Sequence, residues 1–135
     1  MAYPDIWGLL IMSIQSESSE RGSALSRLAG ARLTSVQFVL NYLILGFDER
    51  GALTTLVWPG IRETNGKTTL FGAEGYRDKL CSLIETTVKS VTMSQNEEIL
   101  IAFDNEITIE IPLRSYEGHG ERAILTGPKH YLFIF

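Results

Sequence analysis

Apolar and polar positions along this chain return in the same order after about 55 residues, a period long enough for one supersecondary unit per copy. Leu25, Leu28, Leu33, Val36 and Phe47 are answered by Leu80, Leu83, Val88, Val91 and Phe103. The markers Ser35, Asn41, Asp48 and Pro59 are answered by Ser90, Asn96, Asp104 and Pro112. The pattern predicts one domain over residues 1–135, built from repeats at 23–72 and 76–127 with extensions at 1–22 and 128–135.

Each repeat opens on a helical pattern. Ser23 stands where it caps a helix over Ala24–Ala29, Leu25 and Leu28 share a face, and Gly30 ends the run. Tyr76, Leu80, Leu83 and Ile84 give the same face in the second copy, with Asp78 and Lys79 turned away and Cys81 near the apolar edge as a small core residue. Two strands follow in each copy, over Arg32–Phe47 and Val88–Phe103, with breaks near Asn41 and Asn96. Ile99, Ile101 and Phe103 alternate with Leu100 and Ala102, so both faces are apolar and this strand is expected to be central. After turns at Asp48–Gly51 and Asp104–Glu106, Thr54, Leu56 and Trp58 alternate in one copy and Ile107, Ile109 and Ile111 in the other. Each of these strands is expected to stop at its proline, Pro59 or Pro112.

A last strand closes each unit. Asn65-Gly66 predicts a hairpin with a type I′ turn leading into Lys67–Phe71. In the second copy Tyr116–Gly120 is a longer loop, followed by a strand over Glu121–Thr126. The ends stand outside this scheme. Residues Pro4–Ser16 fit a helix through Trp7, Leu10, Ile11 and Ile14, and fit a strand through Ile6, Gly8, Leu10, Met12 and Ile14 equally well. Gln15–Gly22 reads as a polar loop. His130–Phe135 is β-prone, apolar on both faces and unguarded by Lys or Pro inside it, so it is expected to be paired and covered, within the chain or across a homodimer.

The expected fold class is therefore α+β: two α-β-β-β repeats forming a mainly antiparallel sheet or partly open barrel with helices packed on it. Composition narrows what such a domain does. A net charge of −4 argues against a nucleic-acid partner and suits a basic protein partner. One cysteine allows no internal disulfide and fits a reducing compartment. The apolar run Ile6–Met12 is too short to cross a bilayer and has no basic residue before it, so no membrane segment is expected and a cytoplasmic location is.

Little chemistry is spelled out by motif. Gly60–Thr68 resembles a phosphate loop, but five residues separate its glycines instead of four, and Thr68–Phe71 reads as a strand where a helix is required. Glu117-Gly118-His119 pairs a carboxylate with an imidazole, yet the chain offers only His130 beside it and no third metal ligand, so no metal or cofactor is expected. No serine sits in a nucleophile elbow. Trp7 and Trp58 are core or partner anchors. Asp48, Glu49, Asp104, Glu106 and Glu110 gather around the two equivalent turns, where they would meet a basic partner.

The second copy also resembles an uncharacterised bacterial family of small two-repeat β-rich domains. The likeness is carried by Leu80 and Leu83, Phe103-Asp104, Pro112, Tyr116-Glu117, Gly127-Pro128 and Tyr131–Phe135. It covers most of Tyr76–Phe135 and extends to Ala24–Pro59. Two positions depart from it: Glu106 stands where such proteins place a glycine, and Gly118-His119-Gly120 where they place a tryptophan. The resemblance carries over no established activity. Similar domains stand beside bacterial toxin and contact-inhibition loci, which implies a toxin-neutralising context. The sequence thus supports a small intracellular, non-catalytic protein-interaction domain, immunity-like in type. The alternative is a small-ligand-binding domain or enzyme using a cleft between the repeats, with Tyr116, Glu117, His119 and Arg122 as its site.

Overall fold

Among the described residues, two short helices each lead a run of five strands. The computed structural model describes residues 20–94, 98–114, 122–128 and 132–135. Helix α1 covers residues 20–26. It is followed by β1 (Leu33–Val39), β2 (Tyr42–Phe47), β3 (Gly51–Thr55), β4 (Gly60–Arg62) and β5 (Thr68–Thr69). Helix α2 (Tyr76–Cys81) is followed by β6 (Val88–Ser94), β7 (Glu98–Phe103), β8 (Thr108–Pro112), β9 (Ala123–Thr126) and β10 (Leu132–Ile134). The fold is α+β and its strand pairs are antiparallel.

The strands form two five-stranded sheets, ordered β1-β2-β3-β9-β10 and β5-β4-β8-β7-β6. Each half of the chain gives three strands to one sheet and two to the other. β3 pairs with β9, setting Leu53 opposite Leu125, and β8 pairs with β4, setting Ile109 opposite Ile61. Neither sheet closes into a barrel. They meet where Arg32 bridges Thr87. The hydrogen bonds there are reciprocal: the Leu33 amide donates to Thr86 O at 3.0 Å and the Val88 amide to Ala31 O at 2.8 Å. Likewise the Gly30 amide donates to Val88 O at 2.8 Å and the Glu85 amide to Leu33 O at 2.7 Å.

One hydrophobic core joins both sheets and both helices. Leu25 and Leu28 from the first half and Leu80 and Leu83 from the second are fully buried in it, with Phe47 and Phe103 at matching strand ends. In β2 and β7 alike, buried residues alternate with half-buried ones, because successive side chains on a strand point to opposite faces. With strands exchanged between sheets, removing either half would strip two strands from the other half's sheet. No described helix is long and apolar enough to cross a membrane.

The structure bears out the strand pairs on either side of Asn41, the central position of β7 and the strand ending at Pro112. It corrects other expectations. The first helix covers residues 20–26 and not Ala24–Ala29: residues 20–22, expected in the loop Gln15–Gly22, are helical, so Ser23 lies inside α1 instead of capping it. The buried face of β3 is Leu53 and Thr55; Leu56 is exposed and Trp58 lies beyond the strand. A buried threonine broke the apolar alternation on which the opposite face was read. Pro59 therefore precedes β4, whereas Pro112 is the last residue of β8. Cys81 is exposed, because α2 ends there and only Tyr76 and Leu80 of it turn inward.

The hairpin at Asn65-Gly66 is present, but its turn is not type I′. Gly66 has φ +84° while Asn65 does not enter the positive-φ region. The Gly66 amide donates to Glu63 O and the Glu63 amide to Lys67 O, both at 2.9 Å. This is a type I turn closed by a residue in the left-handed region. The β7–β8 turn repeats it bond for bond: the Glu106 amide donates to Phe103 O, the Phe103 amide to Ile107 O, and Glu106 has φ +72°. β5 is shorter than Lys67–Phe71, with Leu70 and Phe71 left exposed beyond it. The helix-or-strand question over Pro4–Ser16, the break at Asn96 and the loop at Tyr116–Gly120 lie outside the described residues.

Candidate functional site

The residue that links the two halves to a surface is Trp58. It follows β3 in an irregular stretch before Pro59, so its indole is held by neighbours instead of by a sheet ladder. Phe71, just past the short β5, stacks on it at 4.1 Å between ring centroids and 7° between planes. Phe38 of β1 lies nearly parallel at 6.4 Å on 20°. Tyr76 meets Phe71 edge-on at 5.7 Å, and the Arg77 guanidinium sits 5.7 Å over the Phe38 ring. Stacked and edge-to-face pairs of this kind each contribute about 0.5–1.5 kcal/mol beyond burial.

The Tyr76 hydroxyl anchors this assembly. It donates to Pro59 O at 2.5 Å from a buried position, tying the start of α2 to the entry of β4. Burial disfavours the phenolate and pushes the hydroxyl's pKa up. Next to it, Lys79 donates to Thr69 Oγ1 at 2.9 Å and pairs with Glu63 at 2.8 Å. The hydrogen bond from Lys79, then its charge, hold the Glu63 carboxyl below its ordinary value. The connection between the halves is thus fixed at both ends.

Phe71, Gly72, Ala73, Gly75, Tyr76, Arg77 and Asp78 line a concavity of about 290 Å³. Phe71 is 45% exposed there, a large fraction for an aromatic ring already stacked on a neighbour. Leu70 beside it is exposed too, as are Glu74 and Asp78. The surface offers an apolar ring face, a guanidinium and carboxylates within one short segment. This set has the chemistry to suit an amphipathic side chain, and the residues lining the concavity form no nucleophile–base pair.

The sequence had marked other residues. Tyr116, Glu117 and His119 lie outside the described residues. Arg122 is half-buried at the start of β9, where its carbonyl accepts from the Leu56 amide at 2.8 Å and its amide donates to Phe135 O at 2.7 Å. The two acidic turns do flank the junction of the sheets. Asp48 Oδ2 accepts from the Arg32 amide at 2.7 Å, and the Asp104 amide donates to Thr87 O at 3.0 Å. Their acidity is partly answered: Asp48 also lies 3.9 Å from the Arg32 guanidinium. Glu110 is in mid-strand on β8, 3.7 Å from Arg62, and does not belong to that rim. Among the described residues no three His, Cys, Asp or Glu side chains converge as a metal-binding group.

Sequence reasoning gave no site role to Phe38, Phe71, Tyr76 or Arg77, although it placed Tyr76 on the apolar face of the second helix, where it is buried. The available signal was the density of aromatics between Trp58 and Tyr76, the stretch that joins one half to the next. Comparison with protein-family models, with curated proteins and with solved structures finds no match, so the site is interpreted from its own chemistry.

Proposed function

We propose that the chain is two copies of one unit joined into a single intracellular protein-interaction domain, and that it binds its partner through the Trp58–Phe71 surface. The observation that carries this reading is the exposed Phe71 ring, stacked on Trp58 at the mouth of a concavity. A rigid aromatic face loses little conformational entropy on binding, which is why such rings anchor interfaces. Glu74 and Asp78 flank it, so the partner that fits places an apolar side chain on Phe71 and a basic residue beside it. The family resemblance favours a toxin-neutralising form of this role.

A second reading has one observation in its favour. A concavity of about 290 Å³ is close to the lower limit of small-ligand pockets, roughly 300 Å³. Affinity capture from the source cells separates the two. A protein retained by the wild type and by Gln37→Ser, but lost by Phe71→Ser, supports the interaction domain. Capture that ignores Phe71→Ser, or turnover of a small molecule by the purified chain, contradicts it.

A further inference from the structure

None of the five strands of the first sheet carries an Asp, Glu, Lys or Arg. The strands of the second sheet carry Arg62, Lys89, Glu98 and Glu110. The difference matters most on the side turned away from the core. There the register aligns Gln37, Ile44, Thr54, Ile124 and Ile134 in one row across all five strands of the first sheet, with Ile44, Thr54 and Ile124 half-buried and Ile134 exposed. The corresponding row of the second sheet runs through Leu100, Glu110 and Gly60.

The uncharged face ends on an open edge. β10 pairs only with β9 among the described strands, and Leu132 and Ile134 are 55% and 41% exposed. Edge strands are ordinarily guarded by charge, proline or a cover. The equivalent edge of the second sheet, β5, is short and made of two threonines, with Lys79 on Thr69. β10 is short as well, but its three residues are apolar and include no charge or proline.

We propose that this outer face is the interface of a homodimer, in which two copies pack their first sheets against each other as a sandwich. The charge distribution argues for a second copy as the occupant. Each chain carries a net charge of −4, so two copies repel at long range. In a twofold contact every group near the axis meets its own copy, and an ionised patch would oppose itself. The first sheet is where two copies touch without bringing strand charges together.

The size of the face sets the strength. Five strands about 4.8 Å apart and about 17 Å long give roughly 400 Å² per copy in projection. A standard interface buries about 800 Å² per partner, so this face belongs to the small, weakly associating class.

The test is light scattering coupled to size exclusion on the full chain, from about 1 µM to about 1 mM, with dissociation constants fitted to the mass. The wild type shifts from monomer to dimer over that range. Ile44→Lys and Ile134→Lys each weaken the dimer at least about tenfold, while Leu100→Lys, the position matching Ile44 on the second sheet, leaves it unchanged. Ile134 is exposed at an edge, so its variant folds even where the Ile44 variant does not. A strict monomer at every concentration, which would leave the face to another occupant, overturns the proposal. So does a dimer that survives Ile134→Lys but not Leu100→Lys.

Discussion

Inward-facing positions of the two sheets match closely, and outward-facing ones do not. Leu45 and Ile101, Leu53 and Ile109, and Phe47 and Phe103 occupy the same places in the two registers and are all buried. Outward, the first sheet is uncharged, whereas the second carries the Arg62–Glu110 pair across neighbouring strands. Close packing holds the inward set to similar shapes, because a change of even one methylene is felt in a core. The outward set has no such constraint, so its differences report what each surface meets. The aromatic surface follows the same logic. Phe71 leaves β5 at the place where Phe135 leaves β10, but only Phe71 finds a tryptophan to stack on among the described rings.

The matched positions provide the largest test. Phe47→Ala and Phe103→Ala should each cost about 3–5 kcal/mol in denaturant unfolding, because both rings are fully buried in one core. Costs that differ by more than the experimental scatter would show that the two halves do not share the core equally. A smaller test concerns Thr55 and its counterpart Ile111. Thr55 Oγ1 is buried without a hydrogen-bond partner among the described residues. Thr55→Val should leave stability unchanged or raise it by about 1 kcal/mol, while Ile111→Thr should lower it by about 1–3 kcal/mol. Loss of stability in Thr55→Val would mean that the hydroxyl has a partner in solution.

The two equivalent turns sharpen the comparison further. Gly66 and Glu106 hold the same left-handed position in turns with the same hydrogen bonds. That conformation costs an L-residue about 1–2 kcal/mol, against an entropy cost to glycine of about 0.5–1 kcal/mol. Glu106→Gly should therefore stabilise by about 0.5–1 kcal/mol, and Gly66→Ala should destabilise by a similar amount, as read by thermal unfolding. The smallest effect is electrostatic. The folded-state pKa of Glu63 is depressed below the ordinary value of 4.5, so the contribution of its carboxylate is present above that value and lost as pH falls through the folded one. Unfolding followed into acid should show a shallower loss of stability in Glu63→Gln than in the wild type.

The strand pairs and the helices were legible because burial writes its period into the chain. Leu43, Leu45 and Phe47 alternate, and so do Ile99, Ile101 and Phe103. The face of β3 was misread because Thr55 is polar and buried while Leu56 is apolar and exposed. The exchange of β4–β5 and β9–β10 between sheets was not legible at all. Which segment a strand pairs with leaves no mark on its own alternation, and Leu53 meets Leu125 across more than half the chain. The aromatic surface was hidden for the same reason, since Phe38, Trp58 and Phe71 become neighbours only through topology.

The contrast between the two outward faces is tested most directly by methyl NMR of the full chain as protein concentration is raised. The isoleucine methyls of Ile44, Ile124 and Ile134 should shift progressively, while the leucine methyls of Leu100 and Leu70, at matching places on the second sheet, hold still. Shifts at Leu100 and Leu70 without shifts at the three isoleucines, or no shift at either face, would contradict the assignment of association to the uncharged sheet.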